Sequence, residues 1–239
     1  MLNIVGLGLN PRKHLTLEAM ERIDESSTIF MENYTSRIVD MDKESLENLI
    51  KKDIEILERE DVEDGKKIIE KAKESMVSLL VPGDPMIATT HVSLVLMAKD
   101  SGIPVNIVNG ISIQTVIPSI LGIQSYKFGR TVTIPFPEYD FYPESVYRYI
   151  EKNIENGLHT IVLLDIRKDL EMHAIMALDI LEKMESLYHG DVINEDRIIA
   201  VISKACSEKM KVNVDKFSRI RERDLGEPLH TIVILGNLH

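Results

Sequence analysis

The chain has 239 residues, 44% hydrophobic and 28% charged, which is enough for one large or two small globular, soluble domains. A formal charge of −11 excludes a generic nucleic-acid binder, which needs a basic face, and suits a partner or ligand that carries positive charge. No apolar run approaches the roughly 20 residues that span a bilayer, and the start, MLNIVGLGLN, lacks the basic flank of a signal peptide and reads as a strand. The one cysteine, Cys206, rules out an internal disulfide, points to a reducing cytoplasm, and reads as a small packed residue rather than a nucleophile.

In chain order, Leu2–Leu7 is the first strand. Thr16 then N-caps a helix with Glu18 in its first turn and Ala19, Met20 and Ile23 on one face. Thr28–Met31 is a strand, Glu44–Lys51 a helix and Ile54–Leu57 a short strand; the acids from Glu55 to Glu63 read as solvated helix faces. Lys66–Lys73 is helical, and Val77–Val81 has the unbroken apolar character of a strand buried on both faces. His91–Lys99 is a helix with Val92, Val95 and Leu96 on one side, Val105–Val108 a strand and Ser112–Leu121 a helix. This alternation predicts a parallel sheet with helices on both faces. Ligands bind outside the carboxyl ends of such strands. The loops Gly6–Leu15, Glu32–Arg37, Pro82–Thr90 and Asn109–Ser112 are therefore the candidates.

The second half differs, and the predicted domain boundary separates residues 1–125 from 126–239. Thr131–Pro135 is strand-like, Glu144–Glu155 a helix, and His159–Asp165 an apolar strand. Leu170–Leu187 is a predicted long helix whose Met residues read as core packing, although it has more Met and Leu than one face requires. Ile198–Ser203, a half-exposed Lys211–Asp215 and Thr231–Leu235 complete the strands. The late strands lack crossover helices, so antiparallel pairing and a mixed sheet are expected.

The motifs exclude much chemistry. Gly6-Leu7-Gly8-Leu9-Asn10-Pro11 has Pro11 where a dinucleotide fingerprint needs its third glycine, although Glu32 stands where a ribose-binding acid would. There is no GxxxxGK[ST] loop, no GxSxG elbow and no HExxH, and no metal site is expected. What remains is Gly-, Pro- and Thr-rich loops at strand tips, above all VPGDPMIATTH (Val81–His91), where a plain turn would need only the Gly or the Pro. Loops of this kind hold a reactive cofactor and let it do the chemistry. A sulfonium methyl donor fits, because its methyl group is already electrophilic and needs only alignment and exclusion of water.

GLGLNPRKHLT (Gly6–Thr16), MENYTS (Met31–Ser36), VPGDPMIATTH, NGISIQT (Asn109–Thr115), YKFGR (Tyr126–Arg130), GLHTIVLLDIR (Gly157–Arg167) and HTIVILGNLH (His230–His239) together resemble the diphthine synthase family. That family is a branch of the S-adenosylmethionine-dependent methyltransferases with the tetrapyrrole-methylase-like fold. The resemblance runs along essentially the whole chain. It implies two α/β domains, an N-terminal parallel sheet and a C-terminal mixed sheet, with a cofactor cleft between them. It implies that Leu9, Asp84, Ile87, Ser112, Ile113, Leu164, Ala205 and His230 contact S-adenosyl-L-methionine, many through main-chain atoms. Without it, Asp84 reads as an Asp-Pro turn, Ser112 as a helix N-cap, Leu164 and Ala205 as strand ends and His230 as a structural histidine. It further implies a cytoplasmic homodimer, no membrane or nucleic-acid partner, and methylation of the amine on an amino-carboxypropyl-histidine of translation elongation factor 2. No general base is evident. Arg167, Lys168, Lys127 and Arg130 are candidates for the substrate carboxylate, with surface solvation as the plainer role. The first loop departs from the family in carrying Asn10-Pro11-Arg12-Lys13-His14 instead of acids, and the chain stops at His239, where relatives run on. A precorrin-type tetrapyrrole methyltransferase and a non-catalytic ligand-binding protein of the same fold remain as alternatives.

Overall fold

Short apolar runs rich in Val, Ile and Leu become strands, and each is followed by an amphipathic segment that must cover it. The computed structural model describes residues 1–167 and 170–238 and divides into two compact units, Met1–Ile113 and Gln114–His239. The first unit runs β1 (Leu2–Gly6), α1 (Pro11–His14), α2 (Leu17–Glu25), β2 (Thr28–Glu32), α3 (Lys43–Ile50) and β3 (Glu55–Leu57). It continues through α4 (Arg59–Asp64), α5 (Lys66–Glu74), β4 (Val77–Val81), α6 (Val92–Asp100) and β5 (Val105–Val108). Its five strands are all parallel, in the order β3-β2-β4-β1-β5.

Strand alternation divides the core of this unit in two. Leu2, Ile4, Leu79 and Val81 pack on one face against Ile68 and Leu94, while Val5, Leu80, Ile29 and Met31 pack on the other against Ala19, Ile23 and Leu46. Thr16 caps α2 as expected, its hydroxyl accepting from the Ala19 N–H at 3.0 Å. Two details differ from the sequence reading. Met20 is 36% exposed, so the buried face of α2 is Ala19 and Ile23. In α6 the buried face is Leu94, Val95 and Ala98, while Val92 and Leu96 are 55% and 56% exposed. The acids after β3 lie on a solvated helix face as expected: they fold into α4, opened by a capping box between Glu58 and Asp61 and anchored by buried Val62.

The second unit takes in most of α7 (Ile113–Leu121), a 3₁₀ turn at Ser125–Lys127, β6 (Val132–Ile134), α8 (Glu144–Glu155) and β7 (Thr160–Leu164). There follow β8 (Ile166–Arg167), β9 (Leu170–Glu171), α9 (Ala174–Tyr188), β10 (Ile198–Ser203), β11 (Lys211–Lys216), α10 (Phe217–Ile220) and β12 (His230–Ile234). The main sheet, in the order β11-β10-β12-β7-β6, is mixed: β6 and β7 are parallel and the other pairs antiparallel. The units part after Ile113, twelve residues before the boundary expected at 125/126, because α7 groups by packing with the second half. The predicted long helix from Leu170 is corrected to a start at Ala174. Leu170–Glu171 instead pairs antiparallel with Ile166–Arg167 in a small hairpin. Met172 and Met184 are core residues, whereas Met176 is 39% exposed.

Candidate functional site

Three adjacent strands, β4, β1 and β5, end at one edge of the first unit's sheet, and glycine lets their outgoing loops touch. A Cβ on Gly6 would lie 2.6 Å from the Gly110 nitrogen and 2.7 Å from the Gly83 oxygen. One on Gly110 would fall on the Gly83 carbonyl and 2.9 Å from the Gly6 carbonyl carbon. Gly8 and Gly83 both have positive φ, +66° and +79°, and exchange a reciprocal pair of backbone hydrogen bonds at 3.0 Å. Backbone polar groups are thus presented at a rim from which side chains are excluded.

Asp84 ties this rim together. It is 5% exposed, and one carboxylate oxygen accepts from the Met86 N–H at 2.9 Å. The other accepts from the Asn109 side-chain amide at 3.0 Å and the Gly110 N–H at 3.1 Å. The Asp-Pro turn is real, and the same carboxylate also clamps the loop after β4 to the loop after β5. Thr89 and the histidine of VPGDPMIATTH complete the wiring. The Pro85 carbonyl accepts from the Thr89 hydroxyl at 2.7 Å and from His91 Nδ1 at 2.8 Å, and Ala88 takes a left-handed φ of 58° between them. His91 is 1% exposed, and its Nε2 is a buried atom with no hydrogen-bond partner among the described residues.

The first loop is closed by His14, whose Nδ1 accepts from the N–H groups of Leu9 and Asn10, both at 3.2 Å. Burial, with Lys13 adding, holds the His14 imidazole below the usual range, consistent with the unprotonated Nδ1 that these two bonds require. Glu32 does not face a ribose. It is fully buried and turns the Tyr34-Thr35 loop by accepting from the Tyr34 N–H at 2.9 Å, the Thr35 N–H at 3.0 Å and the Thr35 hydroxyl. Burial, with Glu32 and Glu63 adding, pushes the Tyr34 phenol up to about 12. A cavity of about 780 Å³ lies at the opposite, amino end of β2, lined by charged groups such as Glu44, Lys51 and Lys52, away from this rim.

Of the eight sequence-predicted contacts, Leu9, Asp84, Ile87, Ser112 and Ile113 all lie just past the carboxyl ends of β1, β4 and β5. Ser112 is 4% exposed and precedes α7 directly. The other three share one end of the second unit's sheet. Leu164 ends β7, Ala205 lies just past β10, and His230 opens β12, which runs antiparallel to both. Ala205 sits between two left-handed residues, Lys204 (φ 45°) and Cys206 (φ 65°). His230 is 7% exposed; its Nδ1 accepts from the Ala174 N–H at 3.4 Å and its Nε2 donates to the Leu225 carbonyl at 3.2 Å. Burial is the main cause that holds its imidazole below the usual range. The first unit's glycine-lined rim suits a ligand held by backbone groups. The Asp84 oxygens, already engaged by three donors, contribute by fixing the loops.

Other motifs converge at the far end of the second unit's sheet. The Phe128 and His159 rings meet edge-on with centroids 5.4 Å apart. The Gly129 N–H donates to the His159 carbonyl at 2.9 Å, and the Gly236 N–H to His159 Nδ1 at 3.0 Å. Asn153 bridges the Arg130 carbonyl and the Thr160 hydroxyl, both at 2.9 Å. YKFGR, LHT and LGN are therefore one structural joint, and Lys127 and Arg130 belong to it, Arg130 stacking 3.6 Å from the Tyr149 ring centroid. Arg167 follows β7 at the Leu164 end and pairs with Glu138 at 2.9 Å. Lys168 lies outside the described residues.

Residues 1–220 match the tetrapyrrole (corrin/porphyrin) methylases. Over its full length the chain is 41% identical to diphthine synthase of Methanocaldococcus jannaschii, covering 95% of that protein. It is 39% identical to diphthine synthase of Methanococcus aeolicus, covering 94%. A crystal structure of diphthine synthase superposes with a TM-score of 0.90 at 31% identity, over 100% of this chain and 91% of the other. Two α/β units with a parallel and a mixed sheet, glycine-packed loops at the strand ends, and full-length similarity together place this chain in the diphthine synthase branch of the tetrapyrrole methylase family, a family of S-adenosylmethionine-dependent methyltransferases.

Proposed function

We propose that this chain carries out the methylation step of diphthamide biosynthesis. It takes the methyl group of S-adenosyl-L-methionine and transfers it to the amine of the amino-carboxypropyl-histidine of translation elongation factor 2, giving diphthine and S-adenosyl-L-homocysteine. The observation that supports this most is 41% identity over the full chain to a diphthine synthase. When bound, the sulfonium supplies an electrophilic methyl group; the protein supplies position and dryness.

Leu9, Asp84, Ile87, Ser112 and Ile113 of the first unit and Leu164, Ala205 and His230 of the second are the proposed contacts. Asp84 holds the Met86 and Gly110 amides in register, so the backbone of the two loops is fixed before any ligand arrives. His230 stays neutral and keeps the start of β12 bonded to Leu225 and Ala174. Half-buried Ile87 and Ile113 beside the first unit's loops and half-buried Leu164 at the end of β7 are the apolar side chains of this proposal; apolar surroundings favour the neutral, nucleophilic form of an acceptor amine. The leaving proton is not assigned to a side chain. A homodimer working in the cytoplasm is part of the same proposal; among the described residues no helix is long and apolar enough to cross a membrane.

Incubation with labelled S-adenosylmethionine, elongation factor 2 bearing the precursor side chain, and a precorrin-type tetrapyrrole tests the acceptor. Label on the factor is expected. Label on the tetrapyrrole alone would redirect the assignment, and no transfer to either would leave a binding protein.

A further inference from the structure

We propose that the turn Glu138–Phe141 is a docking finger that seats a basic surface of the protein acceptor beside the methyl-transfer site; this rests on the proposed reading that the acceptor is a protein. The segment Phe136-Pro137-Glu138-Tyr139-Asp140-Phe141-Tyr142-Pro143-Glu144 carries three acids and no base. Glu138 and Phe141 form an isolated antiparallel bridge, the Phe141 N–H donating to the Glu138 carbonyl at 2.8 Å. The two residues between them, Tyr139 (φ 51°) and Asp140 (φ 56°), are both left-handed, as in the tight two-residue turns that favour Asn, Asp and Gly. Asp140 suits that geometry. Tyr139 does not, because in this region a bulky side chain crowds its own backbone.

Among the described residues nothing packs on the Tyr139 ring to offset that crowding. Tyr139 is fully exposed and Phe141 is 68% exposed. A strained residue whose ring packs on nothing of its own points to a use outside the chain. The base of the turn, in contrast, is fastened. Arg167 pairs with Glu138 at 2.9 Å and lies 5.2 Å from the Phe136 ring centroid, and the Phe136 N–H donates to the Asp165 carboxylate at 3.0 Å. Asp165 directly follows Leu164, so the finger is rooted at the end of the second unit's sheet where Leu164 and His230 lie.

The chemistry of the tip selects its partner. Exposed aromatic rings flanked by carboxylates bind cationic side chains by stacking and by charge, and aromatic anchors dominate the energetics of protein interfaces. Glu138 is paired with Arg167 and Glu144 with Arg148, which leaves Asp140 as the tip acid with no ion pair among the described residues; with −11 overall, the complementary surface is a basic one on a folded protein.

The test is the double variant Tyr139→Ser/Phe141→Ser, with Tyr126→Ser as control, because Tyr126 is 71% exposed at the far end of the same sheet. Methyl transfer to elongation factor 2 bearing the precursor is measured alongside the thermal shift with S-adenosylhomocysteine. The double variant should lose about tenfold or more in kcat/KM, mainly through KM, as expected for a lost anchor, while the thermal shift is kept and Tyr126→Ser behaves as wild type. Tyr139→Gly, which relieves the left-handed strain while removing the ring, should melt no lower than wild type and still transfer poorly. A wild-type kcat/KM in the double variant, an equal defect in Tyr126→Ser, or a loss confined to kcat would overturn the finger alone. Wild-type protein that transfers nothing to the factor would overturn the acceptor assignment, and the finger with it.

Discussion

Asp84→Ala is the perturbation most tightly bound to the geometry. The carboxylate is 5% exposed and accepts from Met86 N–H, Asn109 Nδ2 and Gly110 N–H at 2.9–3.1 Å. Removing it leaves the half-buried Met86 and Gly110 N–H groups and the exposed Asn109 amide without that partner. Each hydrogen bond to a charged group contributes about 1.5–3 kcal/mol. Loop relaxation and entering water recover part of the loss, so a net destabilisation of about 3 kcal/mol is expected. For a chain of this length about 1 kcal/mol moves the melting temperature by roughly 2–4 °C, so the variant should melt ~6–12 °C lower. Asp84→Asn keeps one acceptor oxygen but turns an NH₂ group toward a donor, and should fall between the two. Because the Gly83 and Gly110 loops lose their clamp, the stabilisation by S-adenosylhomocysteine should shrink in parallel. The measurement is differential scanning calorimetry with and without that ligand. A variant that melts within about 2 °C of wild type would refute the clamp, whatever its affinity, and would leave Asp84 only a direct ligand contact.

Gly110→Ala should destabilise by at least about 1–3 kcal/mol and abolish ligand stabilisation, because its methyl group would overlap the Gly83 carbonyl. Gly102→Ala, also at positive φ but with open space around it, should cost only about 1–2 kcal/mol and keep the ligand response. Saturating S-adenosylhomocysteine at ~100 times its dissociation constant should add about 2.7 kcal/mol of stability and NAD none; an equal NAD shift would contradict the cofactor assignment. His230 is held below its ordinary value by burial, so it adds stability above about pH 6.5 that fades as pH falls through its folded-state value. Melting temperature should therefore drop as pH falls below about 6.5, and His230→Gln should flatten that slope. Light scattering should give twice 27.2 kDa for the proposed homodimer, and a monomer mass would remove it.

The elements most legible in the sequence were those with a one-dimensional signature. Val77–Val81 and Val105–Val108 are strands because a short unbroken or near-unbroken apolar run between breakers has few other solutions. Phase was harder. VSLVLMA in α6 is apolar nearly all round, so its period does not say whether Val92 or Leu94 faces the sheet, and only the sheet decides for Leu94. The start of α9 was misplaced because Leu170–Glu171 continues the helical pattern upstream, while its partner Ile166–Arg167 competes for it through ladder bonds that no local pattern encodes. At the candidate site the Asx turn of Asp84 onto Met86 was readable, but its bonds to Asn109 and Gly110 require the order β4-β1-β5. The same holds for Gly6 and Gly110, whose need for glycine arises from one backbone pressing on another. YKFGR and LHT carried a family signal that turned out to be a structural joint, because shared motifs report packing as readily as chemistry.

The central step is transfer of methyl to one amine. Mass spectrometry of elongation factor 2 bearing the amino-carboxypropyl-histidine, after incubation with this protein and S-adenosylmethionine, reads it directly. A gain of whole methyl groups on the amine of that single side chain is expected, absent when S-adenosylhomocysteine is in excess. A factor whose modified histidine keeps its original mass while the protein demonstrably binds the cofactor would contradict it.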